Sequence, residues 1–178
     1  TDFGMEHEPE CIKKYYEGCA TLADMARKAA SMEGVDFLSF RMEGGDPNGV
    51  NKSTEELIGE LKEIADAVDL PLVVCGCKNV EKDAELFSKA AEALNGKNAV
   101  ILSAKEENYK TVGAAAGLAY KQVVGAESAV DINLAKQLNV LISQLGVDSK
   151  SVVMNVGTAA VGYGFEYVVS TMDRVKAA

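Results

Sequence analysis

SVVMNVGTAAVGYGFEYVVSTMDRV, residues 151–175, reads as a buried strand, a glycine-punctuated loop and an amphipathic helix. Val152, Val153 and Met154 form a short apolar run bounded by Asn155 and Gly157, the length of a strand core. The loop carries Gly157, Thr158, Gly162 and Gly164, and beyond it Phe165, Val168, Val169, Met172 and Val175 share one helical face. Small residues in such a loop let the backbone approach a bulky group, and the free N–H groups of a helix start favour an anionic or carbonyl-bearing ligand. A tight strand–helix connection without a ligand has the same composition. What decides the fold is that the unit recurs.

Outward from this stretch, QVVGAES (122–128) is a weaker strand, and Asp131 caps a helix bearing Leu134, Leu138, Leu141, Ile142 and Leu145, closed by Gly146. NAVILSA (98–104) is a strand followed by an alanine-rich helix from about Asn108 to Tyr120. PLVVCGC (71–77) is another strand; its helix carries Leu86, Phe87, Ala90, Ala91 and Leu94 on one face and stops at Asn95-Gly96. DFLSFRM (36–42) precedes the long loop EGGDPNGVNK, after which Ser53 and Glu56 are spaced as a capping box before Leu57, Ile58, Leu61, Ile64, Ala65 and Val68. In front, Ile12, Tyr15, Tyr16, Cys19, Leu22, Ala23 and Ala26 keep helical spacing over residues 10–32, with Gly34 as the stop. The first ten residues have no period.

Strands apolar at consecutive positions, each followed by a one-faced helix, point to a parallel sheet covered by helices. An open doubly wound sheet and a (β/α)8 barrel both satisfy that pattern. Neither GxGxxG nor GxxxxGK[ST] occurs, which weakens a nucleotide-binding doubly wound reading. A barrel needs about 250 residues, whereas this chain has 178, lacks an initial Met and ends inside a helical pattern. The expectation is therefore one α/β domain over residues 1–178, an incomplete TIM (β/α)8-type barrel with about five parallel strands and six helices. On this reading it runs from the first helix to the sixth strand–helix unit, without the first strand and the last two units.

Net charge is -9 with pI near 4.7, and the basic residues are scattered, which disfavours nucleic acid and anionic membranes as partners. No run of about 18 apolar residues and no signal peptide is visible; the expected location is the cytoplasm. Cys11, Cys19, Cys75 and Cys77 lack the C-x2-C spacing of zinc or cluster sites and read as reduced thiols. At strand period Cys75 and Cys77 would face the same side. With His7 the single histidine, no triad or three-histidine metal site is available.

In a barrel, function collects at the C-terminal ends of the strands. There the sequence offers Glu43, Asp46 and Asn48; Lys78 and Asn79; Ser103, Lys105 and Glu106; Glu127, Ser128 and Asp131; and Asn155, Gly157 and Thr158. Asp131 reads first as a helix cap, and Asp46-Pro47-Asn48-Gly49 as a turn. Asn155 follows a strand core with no capping role, so its amide is expected to bond a neighbour or a ligand. No nucleophile has a general base in register. Binding is favoured over chemistry, with no catalytic residue and no metal ligand assigned.

VNKSTEELIGELKEIADAVDLPLVVCGCKNVEKDAELFSKAAEAL, DINLAKQLNVLISQLGV and VVMNVGTAAVGYGFEYVVSTMDRVKAA together resemble the small (delta) subunit of the corrinoid iron–sulfur protein of the acetyl-CoA synthase/CO dehydrogenase (Wood–Ljungdahl) system. The likeness runs from about Asp36 to the end and is most specific in DINLAKQLN and GYGFEY; CGC and MNVGTAA look more like the acetogen type than the archaeal one. The resemblance implies a TIM barrel that pairs with a large subunit carrying the 4Fe-4S cluster and most of the corrinoid-binding surface. Its strand-end face would help enclose the cobalamin-type corrinoid, here with Asn155, Gly157, Thr158, Ala159 and Tyr163 as the contacting residues. It further implies methyl transfer from methyltetrahydrofolate, through a separate methyltransferase, to acetyl-CoA synthase/CO dehydrogenase. The function expected is thus a non-catalytic subunit of a heterodimeric methyl carrier for carbon fixation. The alternative is a pterin-binding TIM-barrel methyltransferase holding methyltetrahydrofolate through Asp46, Asn48 and Asn155.

Overall fold

A computed structural model describes residues 1–177 of the chain. Five strands, β1 Leu38–Arg41, β2 Leu72–Cys75, β3 Val100–Ala104, β4 Val123–Glu127 and β5 Val152–Asn155, form one parallel sheet in the order β1-β2-β3-β4-β5. The order follows the sequence without reversal, so no switch point of the doubly wound kind lies within the sheet. The pairing puts Arg41 beside Cys75 and Cys75 beside Leu102. Farther along, Glu127 lies beside Asn155. The strand ends are thereby brought level.

Seven α-helices stand among the described residues where the sequence pattern suggested six: α1 Glu10–Tyr15, α2 Leu22–Ala30, α3 Thr54–Ala67, α4 Val80–Ala93, α5 Tyr109–Val112, α6 Ile132–Gln144 and α7 Phe165–Ala177. The extra helix comes from the split of residues 10–32. Gly18 takes φ +86, in the left-handed region, and Thr21 starts α2 afresh with a complete capping box to Asp24. The apolar period runs on across the break at Gly18, and the period alone concealed it. At α3, Ser53 accepts the Glu56 N–H at 3.2 Å as expected, but the reciprocal bond of a capping box is not made; Glu56 lies 4.0 Å from Lys52 instead. The alanine-rich helix is also modified. After α5 it widens into a π-helical stretch, Gly113–Ala119, and the Tyr120 N–H reaches back to the Ala115 carbonyl at 3.3 Å.

Consecutive helices pack on one another, α2 on α3, α3 on α4, α5 on α6 and α6 on α7. They bury one face of the sheet through Phe40, Val74, Ile101, Val124 and Ala126 against Leu57, Leu61, Leu86, Phe87, Leu138 and Ile142. The alternate strand positions face away from this core: Ser39, Arg41 and Val153 are exposed, and Val73, Cys75, Val100, Leu102 and Val123 half-buried. β2 ends at Cys75, and Gly76 interrupts the pleat, so the two cysteines separate. Cys75 lies 3.6 Å from the Ser39 hydroxyl on the uncovered face, while Cys77 is buried in the helix-side core. The same-face expectation fails because the two-residue period stops with the strand.

The first residues are anchored despite their lack of pattern. Asp2 is buried, accepts the Gly44 N–H at 3.0 Å and lies 3.2 Å from Lys52, whose ammonium also bonds Glu60 at 3.0 Å. No helix among the described residues is long and apolar enough to cross a membrane.

Candidate functional site

A cavity of about 660 Å³ lies at the C-terminal ends of the strands, and every strand contributes to its wall. β1 supplies Arg41; the end of β2 supplies Cys75, Gly76 and Lys78, with Asp83 of α4 behind them. Leu102, Ser103 and Lys105 come from β3, Glu127, Ala129 and Val130 from β4, and Asn155, Gly157 and Thr158 from β5. This is the end of a parallel sheet where ligands are ordinarily held.

The polar groups of the wall are mutually engaged to different degrees. Ser103 donates its hydroxyl proton to Glu127, whose other oxygen lies 3.8 Å from the Lys105 ammonium. Register shifts between Leu102 and Ala104, and Ser103 is the residue passed over. Asp83 accepts the Cys77 N–H at 2.7 Å and the Lys78 N–H at 3.1 Å. Burial raises the Asp83 pKa despite these two bonds, and it pushes the Cys77 thiol up to about 11. A thiol so protonated and buried is a core residue, not a nucleophile.

The rim on the β4–β5 side is small-sided and strained. Ala129 and Val130 take φ +47 and +70, and Gly157 takes φ +88 directly against them. A β-branched residue in the left-handed region is a conformational outlier that the surrounding structure must enforce. Here it is enforced by two backbone bonds that tie the loops together, Ser128 N–H to Asn155 O at 3.0 Å and Val130 N–H to Val156 O at 2.8 Å.

The residues named from sequence divide in position. Asn155, Gly157 and Thr158 line the cavity; Ala159 is half-buried near Gly164, and Tyr163 is exposed, neither lining it. The Asn155 side-chain oxygen accepts the Gly157 N–H at 3.1 Å, so the amide shapes its own loop as well as facing the cavity. Asp131 caps α6 through the Asn133 and Leu134 N–H groups. Asp46 takes the Asn48 N–H at 2.9 Å in a turn, and neither residue lines the cavity. Sequence reasoning placed Lys78, Ser103, Lys105 and Glu127 at strand ends without assigning them a role, and it missed Arg41 and Asp83. The signal for Arg41 was a lone cation at an alternate position within an apolar strand.

The family model of the CO dehydrogenase/acetyl-CoA synthase delta subunit matches residues 2–178. The chain belongs to this delta-subunit family. Residues 2–35 are therefore inside the match and not outside it, as the motif-bearing segments alone had suggested. Among similar proteins, the acetyl-CoA decarbonylase/synthase complex subunit delta of Methanopyrus kandleri is 35% identical over 156 residues, covering 87% of this chain and 39% of its own length. The subunit of the same description from Methanothermobacter thermautotrophicus is 33% identical over 179 residues, covering 99% of this chain and 46% of its own. That of Archaeoglobus fulgidus is 31% identical over 169 residues, with 94% and 37% covered. The chain thus spans less than half the length of the delta subunits it matches.

Proposed function

We propose that this chain forms an incomplete TIM-type barrel whose strand-end face helps enclose a corrinoid in a methyl-carrying heterodimer of the acetyl-CoA pathway. The observation that carries the reading is the cavity at the C-terminal strand ends of a delta-family chain, rimmed by Ala129, Gly157 and Thr158. The sequential strand order and single helical layer support a barrel, and the uncovered Val73, Val100, Leu102, Val123 and Val153 are the positions a closed barrel would bury.

The residues fit contact with a macrocycle better than ligation of its metal. His7, the single histidine, does not line the cavity, whereas the rim side chains are small and Asn155 offers an amide for hydrogen bonding. Gly157 and Thr158 would let the backbone approach a flat ring, and Asn155 would orient it through its peripheral amides. Ala159 and Tyr163, on the same loop, would be reached only by a ligand that overhangs the cavity. The bound cobalt would supply the methyl-accepting centre. The protein's part is to hold the group and limit access of water, without a catalytic side chain. Under this reading the partners are the large subunit with its 4Fe-4S cluster, the methyltetrahydrofolate methyltransferase and acetyl-CoA synthase/CO dehydrogenase, in the cytoplasm.

The alternative, direct pterin methyl transfer, loses its geometric basis, because Asp46 and Asn48 bond each other in a turn away from the wall that contains Asn155. The test is co-expression of the full delta subunit with its large partner, followed by the visible spectrum and cobalt content of the purified complex. A one-to-one complex with a corrinoid band, and reduced cobalt in Thr158→Trp at unchanged melting temperature, are expected. A colourless small subunit that purifies alone and binds methyltetrahydrofolate would overturn the reading.

A further inference from the structure

Three cations from three successive strand ends meet in the one cavity: Arg41 from β1, Lys78 after β2 and Lys105 after β3. The register sets their spacing. Arg41, Cys75 and Leu102 lie side by side, so Arg41 and Leu102 are two strand spacings apart, about 10 Å between backbones. Lys78 and Lys105 each follow that row by three residues. Long side chains from such positions can converge on one small group.

The acidic residues of the wall offset this set only in part. Both oxygens of Asp83 are occupied by backbone N–H groups, and Glu127 divides between the Ser103 hydroxyl and Lys105. Arg41 and Lys78 have no carboxylate within ion-pair distance among the described residues. A chain of net charge -9 therefore keeps two cations without an ion-pair partner in a concave wall, where the field is concentrated. Backbone strain marks the same place. Of the five non-glycine residues with positive φ among the described residues, Lys78, Ala129 and Val130 line this cavity. Such strain persists where the structure holds a residue in place against its preference, often at binding sites.

We propose that Arg41 and Lys78, assisted by Lys105, form an anion subsite that takes a phosphate or carboxylate group of the ligand bound at the strand ends. Arg41 supplies the planar fork and Lys78 the point charge. A phosphodiester-bearing ligand and a carboxylate-bearing one share this chemistry, and the site does not depend on which of them occupies the remainder of the cavity.

The experiment is calorimetric titration of the full delta subunit with inorganic phosphate in one arm and glutarate in the other, at low ionic strength. Saturable one-to-one binding that weakens with added salt is expected, with Arg41→Gln and Lys78→Gln each about tenfold weaker and the exposed control Lys62→Gln unchanged. Tighter phosphate binding would point to a phosphodiester ligand, and tighter glutarate binding to a carboxylate ligand; both support the subsite. Absence of saturable binding of either anion, or glutamine variants that bind like the parent, would overturn it. If a glutamine variant does not fold, Arg41→Lys and Lys78→Arg must retain binding and Lys105→Gln must weaken it. Cobalt content reads the corrinoid proposal separately, so the two can fail independently.

Discussion

Asp83 fills the space that a side chain on Gly76 would need: a Cβ built on Gly76 would lie 2.1 Å from the nearer Asp83 oxygen. The glycine lets the carboxylate reach past the end of β2 and accept the Cys77 and Lys78 N–H groups. The turn that delivers Lys78 to the cavity thus rests on a contact between residues seven apart. Gly76→Ala should destabilise the chain by about 1–3 kcal/mol through overpacking, measured by urea denaturation. Its effect should largely disappear in an Asp83→Ala background, since the carboxylate it collides with is gone.

Gln122 is fully buried and joins two backbone groups, accepting the Ala99 N–H at 2.8 Å and donating to the Leu94 carbonyl at 2.8 Å. Gln122→Leu preserves apolar bulk but strands both. A loss of about 2–4 kcal/mol is expected, since each unsatisfied buried group costs on the order of 1–3 kcal/mol. Equilibrium unfolding monitored by circular dichroism checks it.

Lys52 carries the charge that keeps Asp2 buried, with the Asp2 side chain wholly shielded and Glu60 mostly so. Lys52→Met should cost about 3 kcal/mol or more by leaving a buried carboxylate unpaired. Limited proteolysis should then cut first near the N-terminus, whose attachment runs through Asp2 to Gly44 and Arg41.

The pH dependence follows from Glu60 and Asp83, in both of which burial raises the pKa against the opposing effect of their donors. The folded chain then retains protons that the unfolded chain has already released. Stability from these groups is full below the unfolded value, about 4, and is lost as pH rises through the folded pKa. Melting temperature should therefore have a component that declines as pH rises above that value. Glu60→Gln and Asp83→Asn should each flatten it, and unchanged slopes in both would refute the assignment.

Val130 holds φ +70 while its N–H bonds the Val156 carbonyl. Asn tolerates that conformation better, so Val130→Asn should retain the fold and recover about 1 kcal/mol of backbone strain. Its melting temperature compared with that of Val130→Ile, which keeps the β-branch, isolates the backbone contribution.

The alternation of strand and helix, the five strand cores, the caps at Ser53 and Asp131 and the position of Asn155, Gly157 and Thr158 were legible in the sequence alone. Each depends on residues close along the chain, through side-chain period, capping chemistry or the end of an apolar run. The family resemblance was carried by similarly local stretches. What only the tertiary structure decided involves residues distant in sequence. The parting of Cys75 from Cys77, the burial of Asp2 beside Lys52 and the gathering of Arg41, Lys78 and Lys105 in one wall belong to this second class. A local pattern fixes which face of an element is apolar. Which polar side chains then share a cavity is set by strand register and by where each strand stops, and those depend on the packing of the whole sheet.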